Sequence, residues 1–298
     1  MTWQWLVIFF GWASVVLFAV LAARKIYLFA TMPLNLRWEL YPVPHERGDR
    51  RRYGGSYMEQ LDWARQPRLA SQWAELLEMG SEIFLLKRVR EHNPYHLWPL
   101  SLALHWGIYL LLLWIGCLAA AHWLPVLTWP AVGIGVASLV LGAGGALGLV
   151  VRRATHRELA LYTAPIDYFN LAFLAAIFGL GLVSWGVDPL FSQHQVYLAS
   201  LLSFRPTPIS PLVLTMFFLL QALAIYMPFS KLIHYIMKHF TFRETLWDDA
   251  FKMKGSGKRR RISRQLSYPV TWAGPHIGCG RTWLEEVQKR SADNEATR

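Results

Sequence analysis

Cysteine and charge are both scarce in this sequence of 298 residues. Its two cysteines, Cys117 and Cys279, are too few for a disulfide framework, a thiolate zinc site or an iron–sulfur cluster held by this chain alone. Only 16% of the residues are charged, against about a quarter in a typical soluble domain, and 54% are hydrophobic. The composition therefore excludes a disordered chain, a collagen and a charged coiled coil.

Acidic and basic residues are absent from four long stretches. The first stretch precedes Arg24 and the second lies between Glu91 and Arg152. The third lies between Asp167 and Asp188, and the fourth between Arg205 and Lys231. A transmembrane helix needs about 20 mainly apolar residues, so the second stretch is too long for one helix. Prolines at positions 125 and 130 interrupt it. The first stretch lacks the basic start of a secretory signal peptide. We therefore predict five transmembrane helices, near residues 3–23, 98–121, 131–151, 166–187 and 212–235.

The basic residues predict how these helices are oriented. Twelve Lys and Arg residues lie in the segment 24–97, three in the connection 152–165 and fourteen from residue 231 onward, whereas the opposite side carries Arg205 only. The positive-inside rule places the N-terminus outside and the C-terminus inside. Anionic lipid head groups and a cytoplasmic partner suffice to explain the net charge of +11, so no nucleic acid is expected. The predicted fold is an all-α integral membrane bundle with a cytoplasmic segment after the first helix.

Polar residues inside predicted spans are few, and two of them are histidines. His105 lies in the second span and His234 at the end of the fifth, so both fall in the same half of the bilayer. Two neutral imidazoles that face each other across a bundle can hold a six-coordinate b-type haem. A lone intramembrane histidine can equally bond a neighbouring helix. At the membrane surface, Asp167 is expected to pair with Arg152 or Arg153.

Short motifs in the membrane region resemble a known cytochrome family. Residues 227–234, Met-Pro-Phe-Ser-Lys-Leu-Ile-His, look like the haem-ligating end of the last helix in the gamma subunit of respiratory nitrate reductase. The sequence Leu-His-Trp-Gly at 104–107 resembles the first haem-ligand motif of that family. Arg152-Arg153 followed by Thr163-Ala164-x-x-Asp167 looks like its connection between helices three and four. The resemblance covers about residues 97–240.

The segment 33–46, together with Tyr-Gly-Gly-Ser-Tyr at 53–57, does not resemble nitrate reductase. It is similar to the membrane cytochrome of complexes of dissimilatory sulfur metabolism, the DsrM type, and to the related transmembrane Tmc complex. In these complexes a cytochrome b pairs with a cytoplasmic iron–sulfur protein similar to heterodisulfide reductase. This segment is the more specific part of the resemblance because it is long and unusual.

The resemblance implies the ligands of the haem. His105 and His234 match the family's cytoplasmic-side pair of axial ligands, whereas the outer pair falls on Ile115 and Met216. Isoleucine cannot ligate iron, so the second haem of the family cannot be assembled in the usual way. One haem b is therefore expected. A second haem held through His122 or His194, at the outer surface, is left open.

The resemblance also implies a function and a division of the chain. The expected protein is the haem b subunit of a respiratory complex in a bacterial or archaeal cytoplasmic (inner) membrane. It would exchange electrons between the quinone pool and a cytoplasmic heterodisulfide-reductase-like iron–sulfur subunit, with other membrane and periplasmic subunits as further partners. Its parts would be a first helix (1–24), a docking or interfacial segment (25–97), a haem-binding region (98–240) and a basic tail (241–298).

Three alternatives to this function stay open. The chain could be a non-redox membrane anchor, a two-haem quinol dehydrogenase for a different cytoplasmic reductase, or a haem-dependent sensor. The resemblance leaves the direction of electron flow, the quinone type and any catalytic residue unknown. An enzymatic role would be that of the quinone-reactive oxidoreductase subunit within a larger complex.

Overall fold

A computed structural model describes residues 2–32, 44, 46, 53, 55–65, 71–242 and 255–296. Within these residues the chain is helical, with two isolated β-bridges and no strand, which confirms the all-α prediction. Five helices are long and apolar enough to cross a membrane, as predicted. The protein is therefore a multi-pass membrane protein.

The α-helices follow one another along the described part of the chain, joined by turns and short 3-10 helices. In order they are α1 (Thr2–Thr31), α2 (Gln72–Leu85), α3 (Lys87–His92), α4 (Trp98–Ala121), α5 (Thr128–Thr155), α6 (Arg157–Tyr162), α7 (Pro165–Val187), α8 (Ser192–Ser203), α9 (Pro211–Tyr226), α10 (His234–Thr241), α11 (Gly257–Leu266) and α12 (Trp283–Ala296). The five candidate spans are α1, α4, α5, α7 and α9.

Proline marks where several spans begin. Pro165 and Pro211 are the first residues of α7 and α9, a position where the missing N–H costs no helical hydrogen bond. At α7 the Asp167 carboxylate also accepts the N–H of Ala164 at 3.1 Å, which satisfies one of the donors that a helix start leaves unpaired. The sequence thus sets these boundaries locally.

Three spans differ from their predicted bounds. α5 covers Thr128–Thr155, where residues 131–151 were predicted. α1 continues to Thr31, past Arg24 and Lys25, where the prediction ended at residue 23. α9 ends at Tyr226, whereas the fifth span was predicted to run to residue 235. Charge-free stretches report the thickness of the hydrocarbon layer, and a helix can continue beyond it because Lys and Arg side chains extend toward the head groups.

The structure divides into two compact units. The first comprises Met1–Lys25 and Leu76–His234, and its core is formed by side chains of α4, α5, α7, α8 and α9. In this unit α1 stacks Phe10 on Phe218 of α9, with ring centres 5.2 Å apart. The helix α8, which the sequence did not predict, is held in place because Trp12 donates its indole N–H to the carbonyl of Leu201 at 3.1 Å.

The helices α4 and α5 approach each other closely in the first unit. Gly107 of α4 lies against Gly142 of α5, where an added Cβ would come within 2.5 Å of the Gly142 backbone. Ser138 donates its hydroxyl to the carbonyl of Gly107 at 2.8 Å across the same contact. The glycine-rich part of the third span therefore packs helix on helix through small residues.

The second unit comprises Ile26–Glu75 and Tyr235–Arg298. Its buried carboxylate Glu46 accepts hydrogen bonds from the Ser56 hydroxyl at 3.0 Å and from the N–H of Tyr57. Ser56 and Glu59 cap the short 3-10 turn Tyr57–Glu59 reciprocally. This unit thus orders part of the segment that carries the sulfur-metabolism resemblance. Residues 33–43, 45 and 54 of the resembling stretches lie outside the described residues.

Candidate functional site

His105 lies on α4, in the second turn of a membrane-spanning helix. Its Nδ1 is 2.7 Å from the carbonyl oxygen of Ser101, one helical turn earlier. Because a carbonyl can only accept a hydrogen bond, Nδ1 carries the proton in the neutral ring. The lone pair that can bind a metal is therefore on Nε2. This arrangement is the usual one for metal-bound histidines, whose other ring nitrogen donates to a carbonyl or carboxylate.

His234 is positioned by a break in the fifth span. After α9 the chain passes through two short 3-10 turns, Met227–Phe229 and Lys231–Ile233, separated by Ser230 in an extended conformation. Pro228 lies at the break, and the Ser230 hydroxyl accepts the N–H of Leu232 at 3.2 Å and so restarts the helical path. His234 is then the first residue of α10.

The ring of His234 is oriented in the same way as that of His105. Its Nδ1 lies 3.1 Å from the carbonyl oxygen of Lys231, three residues earlier. The same argument places the Nδ1 proton on this contact and the lone pair on Nε2. Both candidate ligands are therefore held in the metal-binding tautomer by local backbone groups.

The structure brings these two histidines together. Their ring centres are 6.0 Å apart, with the ring planes at 72° to each other. Two imidazoles that bind one metal ion from opposite sides have centres about 6 Å apart, with about 2 Å for each metal–nitrogen bond and about 1 Å from nitrogen to ring centre. The donor chemistry and this spacing fit two residues that would hold one haem iron.

Two polar contacts connect the end of α9 to α7 beside this pair. Tyr226 donates its hydroxyl to the buried Asn170 side chain at 2.9 Å. Lys231 donates its ammonium group to the Asp167 carboxylate at 2.8 Å. Since the carbonyl of Lys231 also holds the ring of His234, the Asp167 contact supports the position of a candidate ligand.

The predicted ion-pair partner of Asp167 was wrong. The sequence favoured Arg152 or Arg153, but the carboxylate forms its ion pair with Lys231. Arg152 instead donates to the carbonyl of Tyr95 at 3.3 Å, and Arg153 donates to the hydroxyl of Thr163, also at 3.3 Å. The packing of α7 against α9 determines this choice, and no local spacing in the sequence reports it.

The outer histidines lie in contrasting environments. His194 on α8 is fully buried, with the rings of Trp114, Phe191 and Phe217 around it at centre distances of 5.2, 5.2 and 5.9 Å. His122 is exposed, and its ring contacts Trp123 at 5.0 Å. The ring contacts of the described residues do not join these two histidines. Aromatic side chains occupy three sides of His194, where a macrocycle would have to lie.

The positions of the family's outer ligand pair lie in apolar packing. Met216 is fully buried in the core of the first unit, and Ile115 packs against the same core. These two positions therefore provide no pair of histidine ligands for a second haem. Among the described residues, no group of three or more His, Cys, Asp and Glu side chains could hold a metal ion. The candidate haem site is the pair His105–His234, whose ring centres are 6.0 Å apart.

Sequence reasoning missed the residues that orient the ligands. The carbonyls of Ser101 and Lys231 are backbone groups, which every residue has, so neither composition nor a sequence motif identifies them. Their offsets, four and three residues before a histidine, are what a helical turn supplies at any position. The aromatic contacts of α4 with α2 were missed as well, although Trp98, Trp106 and Tyr109 share one face of α4 by spacing.

Comparison with known proteins adds no family assignment. No family model, curated protein or solved structure matches the chain.

Proposed function

We propose that this protein is the haem b subunit of a membrane-bound electron-transfer complex. It would exchange electrons between the quinone pool and a cytoplasmic iron–sulfur subunit similar to heterodisulfide reductase, in dissimilatory sulfur metabolism. The observation that carries the proposal is the pair of imidazoles 6.0 Å apart, both with Nδ1 bonded to a backbone carbonyl. The sequence resemblance supplies the partner and the pathway class.

His105 and His234 would hold the iron, and the proposal assigns one haem b to the chain. A bound haem b would supply one-electron transfer. The chain's own contribution is to fix the two rings through the carbonyls of Ser101 and Lys231. Fixed ligand orientation is one means by which a protein sets the potential of such a group.

The proposed orientation places the N-terminus outside and the C-terminus inside a bacterial or archaeal cytoplasmic membrane. The supporting observation is the basic residues, of which only Arg205 falls on the side assigned to the exterior. In this orientation the histidine pair lies in the leaflet next to the cytoplasm, and the basic residues of the segment 25–97 and of the tail 241–298 assign both segments to the cytoplasmic side. An iron–sulfur partner that binds these segments would approach the iron from the nearest aqueous side.

A reduction experiment tests the redox role. The protein is expressed with excess haem precursor, purified in detergent, oxidised, and then mixed with a reduced quinol analogue. We expect the absorption bands of a ferrous b-type haem to appear, and we expect His105→Ala to lack them. A matched control is His239→Ala, an exposed histidine of α10, which should keep the bands.

The alternative functions give different results in this experiment. A protein that stays colourless despite ample haem would be a membrane anchor, and the proposal would be wrong. A coloured protein that dithionite reduces but no quinol reduces would retain the haem assignment and contradict the exchange with quinone. Co-purification of the iron–sulfur subunit from native membranes, identified by its acid-labile sulfide, tests the partner separately.

A further inference from the structure

The basic helix α11 is bound to the end of α1. Arg261 of α11 donates its guanidinium group to the carbonyl of Met32 at 2.9 Å and to that of Ala30 at 3.4 Å. The last carbonyls of a helix have no partner within the helix, and the helix dipole favours a cation beside them. All three residues belong to the second unit. The contact therefore holds α11 beside the last turn of α1.

The length of α1 places this contact at the level of the lipid head groups. α1 has 30 residues, so it is about 45 Å long. A bilayer is about 40–45 Å thick when its head groups are included. Since α1 is one of the five candidate spans, a helix of this length that crosses the membrane ends near the lipid phosphates. Through Arg261, α11 is bound at that end.

The side chains of α11 divide between two faces. Those on the side of Arg261 are half-buried, and they are Lys258, Ile262, Gln265 and Leu266. Those on the other side are exposed, and they are Arg259, Arg260, Ser263 and Arg264. These four exposed residues are the basic face of α11. Residues four positions apart lie one turn above each other on a helix, so the basic face is continuous.

The arginines of the basic face are not neutralised by the described residues. Their side chains form no ion pair with a described carboxylate. The helix α12 packs against α11 and begins with two glutamates, but both bind elsewhere. Glu285 accepts the N–H of Thr282 at 2.8 Å. Glu286 lies 3.8 Å from the guanidinium group of Arg281.

The position of these arginines within α11 favours a bound anion. Arg259 and Arg260 lie in the first turn, which contains no acidic residue. The first turn carries the positive end of the helix dipole, which disfavours cations. Arg260 and Arg264 are four positions apart, a spacing at which like charges repel each other. An anion bound at the basic face would offset both repulsions.

Exposed aromatic side chains follow α11 in the chain. Tyr268, Trp272 and Trp283 are 49%, 49% and 37% exposed. Trp283 donates its backbone N–H to the carbonyl of Tyr268 at 3.2 Å. The ring of Trp283 also lies 6.4 Å from that of Trp272, measured between centres. Trp and Tyr are enriched at membrane–water interfaces, and basic residues together with exposed Trp are typical of a segment on a membrane surface.

We propose that the basic face of α11 binds the head groups of anionic phospholipids. The arginine side chains donate to phosphate oxygens, and the contact of Arg261 with the end of α1 keeps the face at their level. The attraction of an anionic lipid surface falls off within about 8 Å at physiological salt, so the binding depends on this position. It requires that α1 spans the membrane and is independent of haem binding.

A spin label on the basic face tests the lipid contact. Ser263→Cys is introduced into the full chain together with Cys117→Ala and Cys279→Ser, and the new cysteine is labelled with a nitroxide. The protein is reconstituted into lipid nanodiscs of phosphatidylcholine alone, or of equal parts phosphatidylcholine and phosphatidylglycerol. The measurement is the frequency of collisions between the label and a neutral, water-soluble nickel chelate in each kind of disc.

We expect nickel collisions to be several-fold less frequent in the discs that contain phosphatidylglycerol, because head groups cover the basic face there. A variant with Arg259→Gln, Arg260→Gln and Arg264→Gln should give equal collision frequencies in both discs. The matched control has Lys at the same three positions. It should retain the difference between the discs because it keeps the positive charge.

Three results would overturn the proposal. Equally frequent collisions in both discs would show that anionic lipid does not contact the face. Infrequent collisions in both would show that the face is covered whatever the lipid charge. A difference that persists in the Gln variant would mean that the arginines do not cause it. If that variant does not accumulate, about 1 M potassium chloride replaces it, since the Debye length then falls to about 3 Å. A difference between the discs that survives this salt would likewise contradict binding through charge.

Discussion

At the scale of single residues, the two candidate ligands depend on very local features. His105 and His234 are each oriented by a carbonyl three or four residues earlier. The sequence could identify both as candidates because polar residues in apolar spans are rare and costly. It predicted that the two residues act as a pair, but not how the chain brings the rings together, since this depends on the break after Tyr226 and on the packing of α9 against α7.

Burial of His194 predicts a pH dependence of stability. Desolvation lowers the pKa of this imidazole from its ordinary value of 6.5 to about 4, although the nearby Asp188 charge opposes the shift. Between these values the unfolded chain binds a proton that the folded protein does not. Stability is therefore complete above about pH 6.5 and falls as the pH decreases toward 4, by about 3 kcal/mol.

Thermal unfolding in detergent between pH 7.5 and pH 4 measures this effect, with a His194→Gln variant as the control. Surface carboxylates titrate in the same way in both proteins, so the difference between the two curves isolates the imidazole. We expect the Tm of the native protein to decrease more steeply than that of the variant as the pH decreases. Parallel curves would contradict the assignment of a neutral, buried imidazole at α8.

At the scale of helices, the contact between α4 and α5 depends on missing side chains. An added Cβ at Gly145 would lie 2.5 Å from the backbone nitrogen of Leu104, the residue before His105. Backbone atoms cannot move aside as a flexible side chain can, so the helices must separate. We expect Gly145→Ala to destabilise the protein by about 1–3 kcal/mol and to reduce the haem content.

Gly144 offers a matched control in the same turn of α5. A Cβ at this position meets no atom within 4 Å, so Gly144→Ala should gain helix propensity, about 1 kcal/mol at most, without a clash. The measurement is the Tm of both variants in one detergent, together with the absorbance of bound haem. Equal stability of the two variants would mean that α4 and α5 do not approach as closely as the structure places them.

The elements themselves were predictable to different degrees. Charge-free stretches and prolines predicted all five spans because both signals act locally on the hydrocarbon layer and on helix starts. The helix α8 was missed because its short, mixed sequence gains stability from tertiary contacts, such as the bond from the Gln221 amide to the hydroxyl of Tyr197. The contact between α2 and α4 could not be predicted either, since the hydrogen-bonded residues lie 13 to 26 positions apart in the sequence.

At the scale of the whole molecule, the distribution of positive charge predicts the orientation. The prediction is tested by C-terminal fusions to two reporters in a bacterial host. Green fluorescent protein matures only in the cytoplasm, and alkaline phosphatase is active only outside it. We expect fluorescence and no phosphatase activity, because the basic tail should remain inside.

A fusion at the outer connection serves as the internal control for this orientation. Phosphatase joined after Trp123, between α4 and α5, should be active because this connection lies on the side assigned to the exterior. Fluorescence from this fusion with an active phosphatase at the C-terminus would reverse the orientation. The histidine pair would then lie away from the cytoplasm, and the proposed iron–sulfur partner could not approach it directly.

We propose above that His105 and His234 hold one iron porphyrin. Haem extracted into pyridine and quantified per polypeptide tests it most directly, in the native protein and in the His105→Ala and His234→Ala variants. We expect about one haem b per chain, lost in either variant and kept in His239→Ala. Haem that persists in both ligand variants, or a native protein that binds none, would contradict it.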